Sequence, residues 1–426
     1  MVATIPGSAG SPASFGRRDG LSHWLMKIFF ACHRFPFPPN RGGKIRPFNM
    51  IKHLSRRHEV FVASLAHTKQ ELEQGAGLKE HCAEIYAAVL PERLRWLQAF
   101  SALPTAEPSS VAYFRSSGLV EKVKRAGRRI SFDAVIVHCA FAAQYGLRVP
   151  ARFRLIDFGD LDSGKWLDYA EQRCFPLSLG YRLEGLKLRR YERRVAAAFD
   201  YCTLTTQGEL AEFEKLAVDR PRRVIPNGVD ESYFCPNGGP NPTQPVIVFL
   251  GRMDYHPNID GVLYFVRNVL PKIRATIPDV EFRIIGSNPA PAIERLRQLP
   301  GVMVTGHVPD VRPLLREATV SVAPLRIARG TQNKILESMA MGVPVVATTQ
   351  AAKGIDAIPG RHILIADSPD AFAEQVMSVS KNQQRRGELA SAGRDRVKER
   401  HSWTLTVAHL DSILSSAIEH RSLYPR

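Results

Sequence analysis

Short apolar runs recur along this chain, separated by stretches of helical or irregular pattern. Those of the first half cover residues 28–33, 60–65, 85–90, 134–138, 154–158 and 201–205. Those of the second half cover residues 245–251, 280–286, 302–306, 320–324 and 343–347. The last has the composition of a parallel strand buried on both faces. The alternation predicts an α/β protein built on doubly wound parallel sheets.

One segment between the two halves has the composition of a linker. Residues 237–245, NGGPNPTQP, are dense in Gly, Pro and Asn. With 426 residues, the chain has room for two domains of roughly 200 residues each. We predict these domains over residues 26–235 and 236–400. Residues 1–25, rich in Gly, Ser, Ala and Arg without periodicity, are predicted to be a disordered N-terminal extension.

Composition narrows the class of protein. The apolar fraction of 44% and the charged fraction of 23% are ordinary for a globular protein, whereas the net charge of +17 predicts an anionic partner. The six cysteines form no C-x-x-C pair, which argues against a zinc site or a disulfide framework and favours a reducing cytoplasm. No apolar run reaches the ~18 residues of a transmembrane helix.

The densest candidate chemistry lies in residues 330–348, GTQNKILESMAMGVPVVAT. The pattern predicts a loop, a helix from Lys334 to Met341, a stop at Gly342 and a buried strand. Free N–H groups at the helix start favour an anion, to which Lys334 adds a charge. Glu337, one helical turn further on, can accept hydrogen bonds from paired hydroxyls. This set suits a nucleoside diphosphate with its ribose. The alternative is a further βαβ unit whose Lys and Glu face solvent.

Two further Gly-bearing turns follow predicted strands. Gly42 and Gly43 come after the first strand, and a helix is predicted to begin near residues 46–47. In the second half, Gly251 permits close backbone approach and Arg252 can fork onto a diphosphate. Both turns can present backbone amides to phosphate, although a turn of this kind also occurs as simple structural punctuation.

Polar side chains also gather where strands of the first half end. His138 ends one run, and Asp160 and Asp162 come just after the next. In doubly wound sheets, ligands bind at the carboxyl ends of the strands. The two aspartates allow a metal site as an alternative, but few other hard ligands lie nearby. We therefore predict that no metal is bound.

Several segments resemble glycosyltransferase family 4, whose members are retaining enzymes of GT-B fold. Residues 329–347 resemble the donor-site motif, in which two glutamates lie eight positions apart; Glu337 matches the second and Arg329 replaces the first. Residues 223–234 resemble an N-G-V-D stretch at the end of the first domain, and residues 158–166, FGDLDSGKW, resemble a bacterial exopolysaccharide-associated subgroup. The resemblance covers roughly residues 26–420. It implies two Rossmann-like domains facing a cleft, the first for the acceptor and the second for the donor, with residues 401–426 forming a helix that crosses back to the first domain.

The resemblance also implies roles for individual residues. Catalytic roles fall to His138, Arg252, Lys334 and Glu337. Donor-binding roles fall to Gly42, Gly43, Asn227, Gly228, Gly251, Gly286, His307, Val308, Arg329, Gly330, Thr331 and Asn333. Asp160 and Asp162 would orient the acceptor or the donor sugar.

Two stretches of the first half have the pattern of basic amphipathic helices. One places Leu94, Trp96, Leu97 and Phe100 along one side. The other places Leu183, Leu186, Tyr191 and Val195 among basic residues, namely Arg182, Lys187, Arg189, Arg190, Arg193 and Arg194. Such helices favour anionic bilayers, but a core-facing helix with a solvated basic face gives the same pattern.

The function that these observations favour is retaining hexosyl transfer from a nucleotide-diphosphate sugar to a saccharide or polyprenyl-linked acceptor, in the synthesis of exopolysaccharide or another cell-surface glycan. No cofactor is expected, and the expected location is the cytoplasm, peripheral on the inner membrane. One alternative is a non-catalytic nucleotide-sugar-binding protein of the same fold, which Arg329 keeps open. Others are an epimerase and a nucleic-acid-binding protein, for which the sequence has no reading module. Nucleic acid is therefore not an expected partner.

Overall fold

The computed structural model describes residues 25–39, 42–171, 173–236 and 244–423. The predicted disordered extension, apart from the exposed Leu25, lies outside these residues, as does most of the predicted linker.

The described part of the first half forms one parallel sheet of order β3-β2-β1-β4-β5-β6-β7. Its strands are β1 (Lys27–Cys32), β2 (Glu59–Ala66), β3 (Glu84–Val89), β4 (Phe132–His138), β5 (Ala151–Gly159), β6 (Tyr201–Leu204) and β7 (Arg222–Val224). Strands β1, β4 and β5 are almost wholly buried, because helices cover both faces.

The described part of the second half forms another parallel sheet, of order β10-β9-β8-β11-β12-β13. Its strands are β8 (Val246–Leu250), β9 (Glu281–Ile285), β10 (Val302–Gly306), β11 (Val320–Ala323), β12 (Val345–Ala347) and β13 (Leu364–Ile365). In both sheets the strand order reverses beside the first strand, which is the place where doubly wound folds bind ligands. The predicted α/β architecture of two Rossmann-like domains is confirmed.

Helices connect the strands and cover the sheets. In the first half these are α1 (Gly42–Leu54), α2 (Lys69–Gln74), α3 (Glu92–Ala102), α4 (Ser109–Tyr113), α5 (Ser117–Arg129), α6 (Ala143–Gly146), α7 (Asp162–Glu171), α8 (Leu177–Ala198) and α9 (Gln207–Glu214). In the second half they are α10 (His256–Tyr264), α11 (Leu270–Arg274), α12 (Pro291–Glu294), α13 (Arg312–Arg316), α14 (Asn333–Ala340), α15 (Thr349–Ala352), α16 (Pro369–Lys381), α17 (Gln383–Arg400) and α18 (Trp403–Leu423). Short 3₁₀ segments cover Gly75–His81, Ala140–Ala142 and Arg295–Gln298, and a π turn covers Phe265–Val269.

The last helix packs on the first domain rather than on the second. Val407, Leu410 and Leu414 of α18 belong to the same buried cluster as Ile28 and Phe30 of β1. An ion pair adds to this apolar contact, since Asp411 of α18 accepts hydrogen bonds from Arg57 and His58 at 2.6 and 2.7 Å. The second domain has its own core around Phe249, Phe265 and Phe282, among other residues.

One predicted helix start is wrong. Helix α1 begins at Gly42 rather than near residue 46, so Pro47 lies inside it and Gly42 and Gly43 form its first turn. In α8, both alternatives hold in part: Val195 is buried and Tyr191 packs against the core, whereas Leu183 and Leu186 are exposed. Within the described part of the chain, no helix has the length and apolar character that crossing a membrane requires.

Candidate functional site

The carboxyl ends of β8 and β9 approach each other at two glycines. A Cβ atom at Gly286 would collide with the carbonyl oxygen of Gly251, and the amide of Gly251 donates to the carbonyl of Ile285 at 3.0 Å. Any side chain at Gly286 would therefore push the two loops apart. The two glycines thus allow the backbones that follow β8 and β9 to lie against each other at the end of the second sheet.

Asn258 connects the other groups at this edge. Its side-chain nitrogen donates to the carbonyl of Arg252 at 2.8 Å, and its oxygen accepts a 2.6 Å hydrogen bond from Nζ of Lys334. Nζ of Lys334 also lies 4.4 Å from the centre of the Phe249 ring. The fixed lysine thus stands beside the Gly251–Arg252 backbone at the start of α14, and Gly251, Arg252, Gly286 and Lys334 form one cluster.

Lys334 and Glu337 lie in a poorly solvated place. Burial lowers the pKa of Lys334 to about 7, against the opposing charge of Glu337. Burial raises the pKa of Glu337 to about 7, against the opposing charge of Lys334. The two side chains are not in direct salt-bridge contact. An anion arriving here would favour the protonated lysine, because an added negative charge raises its pKa.

Arg252 is occupied in this structure. Its guanidinium forms an ion pair with Asp254, with Nε donating to Oδ1 at 3.0 Å, and both side chains are partly exposed. A diphosphate would therefore compete with a carboxylate for this fork.

In the first domain, His138 belongs to a buried network. Its Nδ1 lies 2.7 Å from Oδ2 of Asp157, and Asp157 also accepts hydrogen bonds from Arg46 at 2.7 and 2.8 Å. Thr203 donates to the same carboxylate at 2.8 Å. Although burial works to raise it, Arg46 and His138 hold the pKa of Asp157 below its usual range. Because the ionised Asp157 can only accept, Nδ1 of His138 carries a proton.

Asn227 and Gly228 lie where the chain passes between the domains. The Asn227 side chain accepts from Arg46 at 2.9 Å, and its carbonyl lies 3.0 Å from Nδ1 of His401. A Cβ at Gly228 would lie 2.6 Å from the backbone nitrogen of Trp403. The structure thus places both residues against the chain where α18 begins, at His401 and Trp403; their donor-binding role stays a prediction.

Asp160 and Asp162 have different surroundings. Asp160 accepts from Thr205 at 2.7 Å, and a Cβ at Gly330 would collide with its carboxylate. Asp162 opens α7, and burial raises its pKa, with Cys139 donating to it at 3.6 Å. Of these two aspartates, Asp160 is therefore the one that contacts the second domain, at Gly330. No cluster of three or more His, Cys, Asp or Glu with metal-binding geometry occurs among the residues that the structure describes.

Residues 329–333 form the loop that leads into α14, and this loop lies beside α7 of the first domain. Arg329 forms an ion pair with Asp168 of α7, so this loop contacts the first domain. Gly330 has a φ of +61°, which favours glycine. Thr331 donates to the carbonyl of Gly354 at 3.4 Å, and Oδ1 of Asn333 is buried without a hydrogen-bond partner.

The remaining four predicted donor-binding residues, like those at 227–228 and 329–333, lie outside the Lys334 cluster. His307 and Val308 follow β10; His307 is exposed, whereas Val308 packs against the cluster that contains Leu250 and Ile285. Gly42 and Gly43 open α1 in the first domain, and a Cβ at Gly43 would lie 3.6 Å from the Arg34 side chain. The structure does not bring these residues into contact with Lys334.

Several residues of these networks are not among the predicted site residues, and three of them hold Lys334 or His138 in place. Asn258 bridges Arg252 and Lys334, while Asp157 and Arg46 fix His138. A signal was present for each: Asn258 is at the start of a helix, Asp157 lies opposite His138 across two parallel strands, and Arg46 lies in the helix after the first strand.

Residues 244–382 match the family model described as "Glycosyl transferases group 1". This segment contains β8 to β13 and every residue of the Lys334 cluster.

Curated relatives extend the likeness into part of the first half. The chain is 28% identical over 234 residues to a phosphatidyl-myo-inositol mannosyltransferase of Mycolicibacterium smegmatis, covering 52% of this chain and 58% of that protein. It is also 28% identical over 193 residues to a protein of the same name from Propionibacterium freudenreichii, covering 42% and 48% of the two chains. The chain thus spans about half the length of the curated relatives it matches.

Solved structures cover almost the whole chain. A sucrose-phosphate synthase from Thermosynechococcus elongatus superposes with a TM-score of 0.68 at 16% identity, over 93% of this chain and 100% of that one. HepE from Anabaena, in complex with UDP-glucose, gives a TM-score of 0.63 at 16% identity, over 92% and 100%. The predicted resemblance to GT-B glycosyltransferases is confirmed, while the exopolysaccharide-associated subgroup stays a prediction.

Proposed function

We propose that this protein transfers a sugar from a nucleotide-diphosphate donor to a saccharide or polyprenyl-linked acceptor. One observation carries the proposal: Lys334, fixed by Asn258, stands beside the Gly251–Arg252 backbone at the start of α14. This is a compact cationic edge, set within the segment that matches the group 1 glycosyl transferases. The Anabaena protein of the same fold was crystallised with UDP-glucose, which supports a nucleotide sugar as the donor class.

The chemistry needs the leaving diphosphate to be stabilised as its bond to the sugar breaks. Lys334, Arg252 and the backbone amides at the start of α14 supply fixed positive charge and dipoles for that purpose. Glu337, one turn further on, is placed to accept hydrogen bonds from the ribose hydroxyls.

The first domain orients the sugars. His138, held by Asp157, and Asp160, which lies against Gly330, are placed to bind sugar hydroxyls. We propose transfer with retention, in which the acceptor hydroxyl attacks from the leaving-group side and the departing phosphate takes its proton. No residue of the chain then has to act as the general base, and no cofactor is needed.

The proposed setting is the cytoplasm, with the protein peripheral on the inner membrane and acting in exopolysaccharide or other cell-surface glycan synthesis. The relatives named as phosphatidyl-myo-inositol mannosyltransferases support a lipid-borne acceptor.

A thermal-shift screen followed by a turnover assay tests the donor part. The unfolding temperature of the full chain is measured with UDP, GDP, ADP and their sugars, since a ligand that binds the folded state raises it. The stabilising sugar nucleotide is then incubated with the protein, and nucleotide release is measured by chromatography. We expect one base to stabilise the protein and slow donor hydrolysis to follow, both abolished in Lys334→Ala.

Arg329 favours a second candidate, a nucleotide-sugar-binding protein without turnover. The resembling family has a glutamate at this position, whereas here the Arg329 side chain forms an ion pair with Asp168. Stabilisation by a sugar nucleotide without hydrolysis, and without transfer to simple saccharide acceptors, would support that alternative. The absence of stabilisation by any nucleotide would contradict both.

A further inference from the structure

Large apolar side chains are exposed mainly in one region of the first domain. Ten of the eighteen strongly exposed ones among the described residues lie in or next to two helices, five at α3 and five at the start of α8. We call these residues the apolar ridge: Leu94, Trp96, Leu97, Phe100 and Leu103 at α3, with Phe175, Leu177, Leu179, Leu183 and Leu186 at α8. Each is between 41% and 79% exposed. Clusters of this kind mark interaction surfaces.

Two contacts, one helical turn apart on α8, join the helices. The buried Glu184 accepts from the backbone nitrogens of Ser109 and Ser110 at 3.0 and 2.8 Å, which caps α4. Lys187 donates to the carbonyl of Leu103 at 2.8 Å, at the end of α3. The end of α3 therefore lies beside the middle of α8, and the two groups of apolar side chains are on neighbouring helices.

The outward face of α8 changes character along its length. Leu179, Leu183 and Leu186 are followed at the same helical spacing by Arg190 and Arg193, both exposed. Both glutamates of this helix, Glu184 and Glu192, are buried. The charges that α8 presents to solvent are thus all positive, and they lie next to the apolar stripe.

We propose that the apolar ridge inserts into the interfacial region of an anionic bilayer, with Arg190 and Arg193 at the level of the lipid headgroups. On α8 the apolar stripe is bordered by positive charge, which complements lipid acyl chains bordered by anionic headgroups. At the α3 end of the ridge, one carboxylate is present, that of Glu92, which accepts from Nε1 of Trp96 at 3.5 Å. Trp96 adds a side chain that prefers this depth. The net charge of +17 attracts the whole chain to the same surface.

The ridge connects to the candidate site through one helix. The buried side of α8 packs on α7, where a Cβ at Gly185 would lie 2.9 Å from the Leu167 side chain, and α7 carries Asp168, the partner of Arg329. A bilayer bound at the ridge would therefore lie close to the domain cleft. The entry of a lipid-linked acceptor from this side rests on the proposed function, whereas binding of the ridge to a bilayer can be measured independently of donor turnover.

Vesicle co-flotation of the full chain tests the proposal. The vesicles are phosphatidylcholine alone, or phosphatidylcholine with 30 mol% phosphatidylglycerol, at low and high salt. We expect binding to the anionic vesicles at low salt that weakens at least tenfold in L179S/L183S/L186S. In R190Q/R193Q, binding should weaken several-fold and lose part of its salt dependence. Leu299→Ser, at an exposed leucine of the second domain, is the matched control and should bind as wild type.

Three outcomes would overturn the proposal: no binding of the wild type to anionic vesicles, ridge variants that bind as the wild type does, or self-association that the triple substitution abolishes, measured by light scattering. The last result would assign the ridge to a second copy of the chain. Nucleotide-induced thermal stabilisation is measured on the same variants. Because the ridge lies outside the Lys334 cluster, we expect the nucleotide-induced stabilisation to persist in these variants. This measurement separates failure of the ridge proposal from failure of the proposed function.

Discussion

Arg329, on the loop before α14, forms an ion pair with Asp168 on α7, and this pair joins the two domains near the ends of their strands. Its guanidinium lies against Gly164 of α7, where a Cβ would collide with it. In the family motif that the sequence resembles, this position carries a glutamate. In this chain the position therefore contributes to domain contact, and the charge there is reversed.

Reversing the pair tests its role. Arg329→Glu places two carboxylates together, and we expect donor turnover (kcat/KM) to fall about fivefold, which corresponds to ~1 kcal/mol for a partly exposed ion pair. The double variant Arg329→Glu/Asp168→Arg should recover most of the loss. Arg326→Gln, which breaks the pair with Asp260 inside the second domain, is the control. Equal turnover in all three variants and the wild type would show that the pair is dispensable.

The pH dependence of nucleotide binding follows from Lys334 and Glu337. Since the pKa of Lys334 is about 7, the free protein loses this proton as the pH rises above 7, and a diphosphate needs the charged form. The dissociation constant of a nucleoside diphosphate should then rise by up to tenfold per pH unit. Below pH 7, Glu337, with a pKa of about 7, gains a proton and accepts hydroxyl hydrogen bonds less well, so affinity falls there too.

Isothermal titration across pH 5.5 to 9 measures both limbs. Lys334→Arg should flatten the alkaline limb, because the guanidinium keeps its charge. Glu337→Gln should flatten the acid limb relative to the wild type, a comparison in which the ligand's own titration cancels. Parallel profiles in all three proteins would exclude these residues from the binding site.

The sequence predicted the parallel sheets well, because runs such as 134–138 and 245–251 are apolar and bounded by turn residues. It also predicted the Lys334 helix, whose caps and period are local. It could not predict partners that are distant in sequence. Asp157 accepts a hydrogen bond from Arg46, which lies 111 positions away, and Lys334 donates one to Asn258, which lies 76 positions away. The sequence does not locate the start of α1, because two consecutive glycines, Gly42 and Gly43, suit a turn and can also adopt helical angles.

The buried network of His138 gives a stability prediction. Arg46→Met leaves the Asp157 carboxylate buried without its cation, and we expect destabilisation by about 3 kcal/mol. Arg46→Met/Asp157→Asn removes both charges and should be less destabilised than the single variant. Thermal unfolding at pH 7 measures the difference, and a double variant less stable than Arg46→Met would contradict the expectation.

The ion pair of Arg46 and Asp157 also makes the stability of the protein depend on pH in the acid range. Because the folded state lowers the pKa of Asp157, its stabilising contribution is present above the ordinary aspartate pKa and is lost as pH falls below it. Between pH 5 and pH 3 the wild type should therefore lose more stability than the double variant does.

Glu192 gives the opposite dependence on pH. Burial raises its pKa to about 8; its Oε1 accepts from the backbone nitrogen of Ser163 at 3.1 Å, and its Oε2 is buried without a partner. The folded state thus keeps a proton that the unfolded chain releases near the ordinary glutamate pKa. The contribution of Glu192 to stability is therefore fully present below about pH 4.5 and is lost as pH rises towards 8.

Glu192→Gln keeps the acceptor for Ser163 and removes the titration. We expect the unfolding temperature of this variant to exceed that of the wild type by a margin that grows from pH 5 to pH 9. The corresponding difference in the free energy of unfolding should approach a value on the order of 3 kcal/mol. Glu374→Gln, at an exposed position of α16, should show no such growth. Because Asp162 and Glu209 are also buried acids with raised pKa values, some alkaline destabilisation should persist in the variant. A margin that stays constant or shrinks with pH would mean that Glu192 does not hold its proton in the folded protein.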